Sequence, residues 1–204
     1  MISDISKTTG ALAYLLIEEI KVDKIKRTSL FFRVVFQIIF VALPIVLITA
    51  WIIFSGTLVI PGGIINLNYI PAAYTNSMLH TLSGSEKFMA LGLGSTPMLI
   101  QMYILYSLIN LFKLYEKGDI FSFNNVRHIR NIGYALLLTQ IIDPLYQGAM
   151  GFVLTRYNPP GHRFAAITMD QTNIGVVLIA LVVILVSWIM AEGCKLREEQ
   201  QLTV

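Results

Sequence analysis

The stretch LFFRVVFQIIFVALPIVLITAWIIF, residues 30–54, decides the fold, because its polar side chains are confined to one arginine, one glutamine and one threonine. A hydrocarbon core about 30 Å thick is crossed by roughly 20 apolar residues of helix. Three further runs, Phe88–Phe112, Ile132–Leu154 and Ile174–Met190, come close to or exceed that length. The last is shortest, and Thr172, Asn173 and Ala191 extend it into the interfaces. The fold class expected is an all-α membrane protein, a bundle of four transmembrane helices. A composition of 55% hydrophobic and 13% charged residues leaves no room for a separate soluble domain, so residues 1–204 read as one membrane domain.

The distribution of charge sets the orientation. Lys7, Lys21, Lys24, Lys26 and Arg27 precede the first span, Lys113, Lys117, Arg127 and Arg130 lie between the second and third, and Lys195 and Arg197 follow the fourth. The opposite side has only Lys87, Arg156 and Arg163. The positive-inside rule therefore predicts that both termini and the middle loop lie in the cytoplasm. These basic residues read as topology determinants on anionic lipid, with no direct nucleic-acid contact. The first residues carry no cleavable leader pattern, so the first span is expected to act as its own insertion signal. The single cysteine, Cys194, excludes an intrachain disulfide and reads as an inert thiol on the reducing side.

Between the spans the expected organisation is a cytoplasmic interfacial helix over 1–29, outer loops over 55–87 and 155–173, a cytoplasmic loop over 113–131 and a tail over 191–204. Leu12, Leu16, Ile17 and Ile20 oppose Glu18, Glu19, Lys21 and Asp23, as in a helix lying along the inner surface, or one that docks a partner. In the first outer loop, Thr57–Ile60, Pro61-Gly62-Gly63 and Ile64–Tyr69 have the form of strand, turn and strand. The extended segment Arg163–Met169 follows the turn signal Asn158-Pro159-Pro160-Gly161 and is expected to add a third strand. An isolated hairpin being marginal in water, the expectation is a small three-strand extracytoplasmic cap. In the middle loop, Gly118 is placed to end one helix, and Ser122 or Asn124 to cap the next.

That loop and the tail carry a resemblance. Glu116-Lys117-Gly118-Asp119-Ile120-Phe121-Ser122, then Asn125-Val126-Arg127-His128-Ile129-Arg130-Asn131-Ile132-Gly133, with Glu192-Gly193-Cys194-Lys195-Leu196-Arg197-Glu198-Glu199-Gln200-Gln201-Leu202-Thr203-Val204, resembles the YoaS-like family of small bacterial four-span membrane proteins of unknown function. The likeness covers about the C-terminal half. It implies an inner-membrane protein whose relatives are often encoded beside a small Cro-type helix-turn-helix regulator, and it implies no catalytic residues.

Asp143 is the first candidate site residue. It lies about 16 Å from the cytoplasmic end of its span at 1.5 Å per residue, where an ionisable group is a functional candidate by default. Gln140 and Gln147 share its helix face, and Gln101 in the second span is expected at similar depth, completing an intramembrane polar stripe. The competing reading has Asp143-Pro144 as a kink, with the carboxyl group capping freed N–H groups and the glutamines satisfying the carbonyl that proline leaves unpaired. Gly92 and Gly94 permit close helix approach or local unwinding, and Arg33 reads as a snorkelling anchor. Lys195 is expected to pair with Glu199 one turn on.

Enzyme motifs and paired intramembrane carboxylates are missing, and His80, His128 and His162 are dispersed, so the chain reads as non-enzymatic, with no metal and no cofactor. The leading expectation is a sensing or regulatory protein that couples the membrane or outer face to a cytoplasmic partner. Arg127, Arg130 and the terminal Leu202, Thr203 and Val204 are the candidate cytoplasmic contacts, with the terminal tripeptide docking on a partner or returning to its own loop. The partners expected are the lipid bilayer, a cytoplasmic protein such as a helix-turn-helix regulator, and a second copy of the chain. The alternative is a small transporter or channel component that uses the Asp143 stripe.

Overall fold

Four long helices follow one another along the chain. The computed structural model describes residues 2–202 except 55, 60–65, 72–73, 75–81 and 169–170. Its elements are α1 (Ile2–Ile52), β1 (Thr57–Val59), β2 (Asn66–Asn68), α2 (Gly84–Glu116), α3 (Phe123–Thr155) and α4 (Gln171–Leu202). α1, α2 and α4 each contain a segment long and apolar enough to cross a membrane. α3 matches α2 in length, but Gln140, Asp143 and Gln147 lower its mean hydropathy.

Consecutive helices pack against each other in antiparallel order, α1 on α2, α2 on α3 and α3 on α4. On α1 and α2, Arg33 meets Glu116 while Leu47 and Trp51 meet Gly94. On α3 and α4, Gly133 meets Ala180 and Ile184 while Gln140 meets Asn173. Glycine is required at the α3–α4 crossing, because a Cβ on Gly133 would lie 2.6 Å from Ile184 Cγ1 and 3.2 Å from the Ala180 carbonyl. Leu111, Val126, Ile132, Ala135 and Cys194 are buried toward the end of the bundle that carries the α2–α3 turn. At the other end Leu47, Trp51, Ile70, Tyr74, Ala90, Met150, Val153 and Leu154 form one core cluster. The outward faces are apolar. On α3 the exposed residues Tyr134, Leu138, Ile141, Leu145 and Phe152 recur at helical spacing and form one apolar stripe.

Local sequence explains the ends of the elements. Gly118 at φ +81° ends α2, and Ser122 Oγ accepts from the Asn125 N–H at 3.4 Å to start α3. Asn125 is fully buried, and its Nδ2 donates to the Asp119 and Ile120 carbonyls, so the six-residue turn is fastened from inside. α2 begins earlier than the apolar run because Glu86 Oε2 reaches back to accept from the Ser83 N–H at 2.7 Å.

Several expectations are corrected. The interfacial helix over 1–29 is not a separate element, since α1 is continuous with the first span. No glycine or proline lies between Ala11 and Leu43 to break it. The three-strand cap is not formed. Among the described residues, pairing is confined to the three-residue ladder in which Leu58 faces Leu67, and 163–168 is not a strand. The turn expected at Pro61-Gly62-Gly63 lies outside the described residues. Arg33 does not snorkel, because it pairs with Glu116 at 2.6 Å beside the stacked rings of Phe32, Phe36 and Phe112. Gly94 serves close approach to Trp51, with α2 helical throughout. Lys195 Nζ also pairs with Glu192 Oε2 at 3.3 Å, one turn before it.

Gly133→Ala is expected to cost about 1–3 kcal/mol through overpacking. Thermal unfolding of the purified protein checks this, and Ile184→Ala in the same chain should recover part of the loss. An additive double mutant would contradict the contact.

Candidate functional site

Beside the core cluster that holds Leu47, Trp51 and Ile70 the bundle carries an open cavity. A cavity of about 350 Å³ is lined by Leu43 of α1, Gly94, Pro97, Met98 and Gln101 of α2, Asp143, Tyr146 and Gln147 of α3, Asn173 of α4, and Tyr69, Ile70, Pro71 and Thr168 from the loops. Every helix therefore contributes to its wall.

Gln147 organises the polar side. Its Nε2 donates to Asp143 Oδ2 at 2.7 Å and to the Thr168 carbonyl at 3.2 Å. Its Oε1 accepts from the Thr168 N–H at 2.7 Å and from the Thr168 hydroxyl at 2.9 Å. Two donors and two lone pairs are the full capacity of a glutamine amide, so this side chain is saturated. Asp143 is not saturated. Its Oδ1 has no hydrogen-bond donor among the described residues, and the residue lines the cavity. α3 runs unbroken through Pro144, and the Asp143 carboxyl group accepts from Gln147 in place of the backbone N–H groups of a restarted helix.

The remaining stripe residues divide. Gln140 Oε1 accepts from Asn173 Nδ2 at 3.2 Å, tying α3 to α4. Gln101 lines the same cavity, and its side chain makes no hydrogen bond among the described residues. Asp143 and Gln147 are thus joined directly, Gln140 is turned to α4, and Gln101 faces them across open space.

The outer wall explains why no third strand forms. Alternate residues of the extended segment 163–168 have their backbone groups bound by side chains. Thr155 Oγ1 accepts from the Phe164 N–H at 3.3 Å. The Tyr74 hydroxyl accepts from the Ala166 N–H and donates to the Ala166 carbonyl at 2.9 Å. Gln147 does the same for Thr168. A strand presents N–H and C=O groups of alternate residues to one side, and three side chains fill the place of a neighbouring strand. Tyr74 is fully buried against α3 at Gly151, where any Cβ would overlap its hydroxyl, and its ring stacks on Phe164 at 5.4 Å. Tyr146 donates to the Tyr69 carbonyl at 2.9 Å, fastening the first outer loop to the same helix. Burial raises the Tyr69 phenol above its ordinary value, which keeps it a neutral group on the cavity wall.

Tyr69, Tyr74, Tyr146, Thr168 and Asn173 were not singled out by sequence. Asn173 is the one with a local signal, a polar residue at the head of the fourth apolar run. The candidate cytoplasmic contacts are dispersed. Arg127 is exposed, Arg130 is half-buried, Leu202 ends α4, and Thr203 and Val204 lie outside the described residues. His128 beside Arg127 is held below its ordinary pKa by burial and then by the Arg127 charge, so it adds no positive charge at neutral pH. His80 lies outside the described residues, and His162 is exposed.

Long helices with apolar outer faces around a carboxylate-bearing cavity define a helical protein of membrane type with an interior polar site. Residues 71–204, about two thirds of the chain, match the model of a family described as Protein of unknown function (DUF2975), and the chain belongs to that family. The matched region contains Tyr74, Gln101, Gln140, Asp143, Gln147 and Thr168. No curated protein and no solved structure matches the chain.

Gln147→Leu is expected to leave Thr168 and Asp143 without their partner at a cost of about 1–3 kcal/mol. The loss should be local, with amide exchange at Thr168 accelerated by a factor of about 5–30 and exchange at Ile132 unchanged. Equal acceleration at both amides would contradict a local clamp.

Proposed function

We propose that this chain is a four-span, non-enzymatic sensing protein of the bacterial inner membrane, whose cavity receives a small ligand bearing a hydrogen-bond donor or a positive charge. The observation that carries this reading is the unbonded Oδ1 of Asp143 in the wall of a cavity that all four helices share. A half-buried carboxylate with no cationic partner recruits positive charge or protons. Gln147 links that carboxylate to Thr168, so a ligand bound at Asp143 competes for the amide that holds the outer segment in place.

The four-span count rests on the third helix. α3 is long enough to cross, its exposed stripe is apolar, and its polar residues turn to the cavity and to α4. The excess of Lys and Arg on one side supports a cytoplasmic position for both termini and the α2–α3 turn. A change in the cavity reaches that side through the tight α3–α4 crossing at Gly133 and along α4 to the tail, where a cytoplasmic partner reads it.

Transport is the second reading, and one observation favours it. Pro97 lines the cavity, while Pro44 and Pro144 follow directly on the lining residues Leu43 and Asp143. Each proline removes one helical hydrogen bond, so three helices are weakened for bending at the level of the cavity.

A thermal-shift titration in lipid nanodiscs with small primary amines and alkali cations tests the cavity. At 100 times its dissociation constant a bound ligand should stabilise the wild type by about 2.7 kcal/mol, and Asp143→Asn should lose that gain while its unliganded stability stays the same. A cation that stabilises both proteins equally would contradict the assignment. Deleting 202–204 should then reduce capture of a cytoplasmic partner while membrane abundance holds. Intact capture, together with Asp143-dependent flux of the bound cation into vesicles, would replace sensing by transport.

A further inference from the structure

A second cavity lies on the outside of the bundle, in the groove between α2 and α3. It has a volume of about 410 Å³ and is lined by Leu99, Ile100, Tyr103, Asn131, Tyr134, Ala135 and Leu138. Apart from Asn131 at one end, its walls are aliphatic and aromatic. The groove opens on the surface that carries the exposed stripe of α3, with Leu99, Tyr103, Tyr134 and Leu138 all substantially exposed along it.

The two helix faces that form the groove continue toward the α2–α3 turn and become basic. On α3, Arg127, Asn131, Tyr134 and Leu138 are spaced by four, three and four residues and so share one face. On α2, Tyr103, Asn110 and Lys117 recur every seven residues on one face, with Lys113 one turn before Lys117. Antiparallel packing brings these ends together beside the turn, and Arg127, Lys113 and Lys117 are all exposed. None of the three forms an ion pair among the described residues. From Arg127 to Leu138 the face runs about 16 Å at 1.5 Å per residue, close to half of a hydrocarbon core of about 30 Å. The groove is therefore one leaflet deep, apolar within the leaflet and positively charged at its surface.

We infer that this groove binds an anionic glycerophospholipid, with one acyl chain lying between α2 and α3 along Tyr103 and Tyr134 and the phosphate held at Arg127 and Lys117. Basic side chains at the mouth of an interhelical groove supply the headgroup contact, and the apolar walls below take up the chain. A soluble phosphate compound would leave the groove empty, and a zwitterionic lipid would leave the basic mouth uncompensated. The site is separate from the Asp143 cavity. No residue lines both, and it holds whether or not that cavity binds a ligand.

The test is native mass spectrometry of the full-length protein in mild detergent, with equimolar phosphatidylglycerol and phosphatidylcholine of identical acyl chains. The wild type is expected to retain phosphatidylglycerol preferentially. Arg127→Gln should remove the preference, and Leu99→Trp, which fills the groove without altering charge, should lower the bound fraction of both lipids severalfold. Arg163→Gln, at the opposite end of the bundle, should behave as wild type, and thermal unfolding should show all variants folded. Equal retention of the two lipids by the wild type would overturn the proposal. So would full retention of phosphatidylglycerol in Leu99→Trp, which would reduce the site to headgroup contact at the surface, or displacement of the lipid by soluble glycerol 3-phosphate.

Discussion

The four hydrogen bonds of Gln147 are the constraint around which the rest of the molecule is arranged. A polar side chain on a helix packed inside a bundle needs partners within the protein, because an unpaired amide in an apolar setting costs several kcal/mol. Gln147 finds one partner on its own helix, Asp143, and the others on Thr168 of the outer segment. That single side chain thus fixes both the orientation of the carboxylate and the path of the chain into α4. Tyr74 and Thr155 extend the same solution to Ala166 and Phe164, and an extended segment without strand neighbours is held against the helix end.

The packing around this clamp is uneven. At the end that carries the β1–β2 ladder Trp51, Tyr74 and Met150 are fully buried, and at the other end Asn125 and Val126 close the turn below Leu111. The middle is left open, and Asp143 stands there with one oxygen engaged and one exposed to the cavity. Dense ends around an open centre allow local rearrangement at the cavity while the ends keep the helices in register. The residues that carry the family resemblance also acquire physical roles. Gly118 supplies the left-handed turn, Asn125 fastens it, and Gly133 allows α4 to approach α3. Much of that signature is accounted for by the fold, while Lys117 and Arg127 are exposed members with no ion pair among the described residues, which directs attention to what meets them from the membrane.

The helices were legible because length and apolarity act locally: each run of apolar residues needs no knowledge of its neighbours to become a helix. Gly118 and Ser122 were legible for the same reason, since their roles are set by backbone geometry a few residues away. Continuity of α1 is less visible in the sequence, because amphipathic spacing over 12–20 resembles that of a surface helix even where no breaker separates it from the span. The extended segment 163–168 was recognised as extended but assigned to a sheet. Sequence shows that backbone groups need partners without showing that a tyrosine some ninety residues away supplies them. At the site, Asp143, Gln140 and Gln147 were found through helical periodicity, which places residues on a face. Thr168, Tyr74 and Asn173 were not, because they arrive from other elements and have no periodic relation to α3. Arg33 carried the opposite lesson: near an interface a lone arginine reads as an anchor until the tertiary fold brings Glu116 to it.

The four-span proposal requires α3 to cross the bilayer with one face to lipid and the other to a polar cavity. Collision accessibility of nitroxides placed singly along α3, in a Cys194→Ala background in lipid bilayers, tests it most directly. Labels at Leu138→Cys, Ile141→Cys and Leu145→Cys should collide most with oxygen, which partitions into lipid, and labels at the cavity-lining positions Asp143→Cys and Gln147→Cys should collide most with a water-soluble nickel chelate. Uniformly high chelate access with no oxygen maximum at any of the five positions would place α3 outside the membrane and contradict the account.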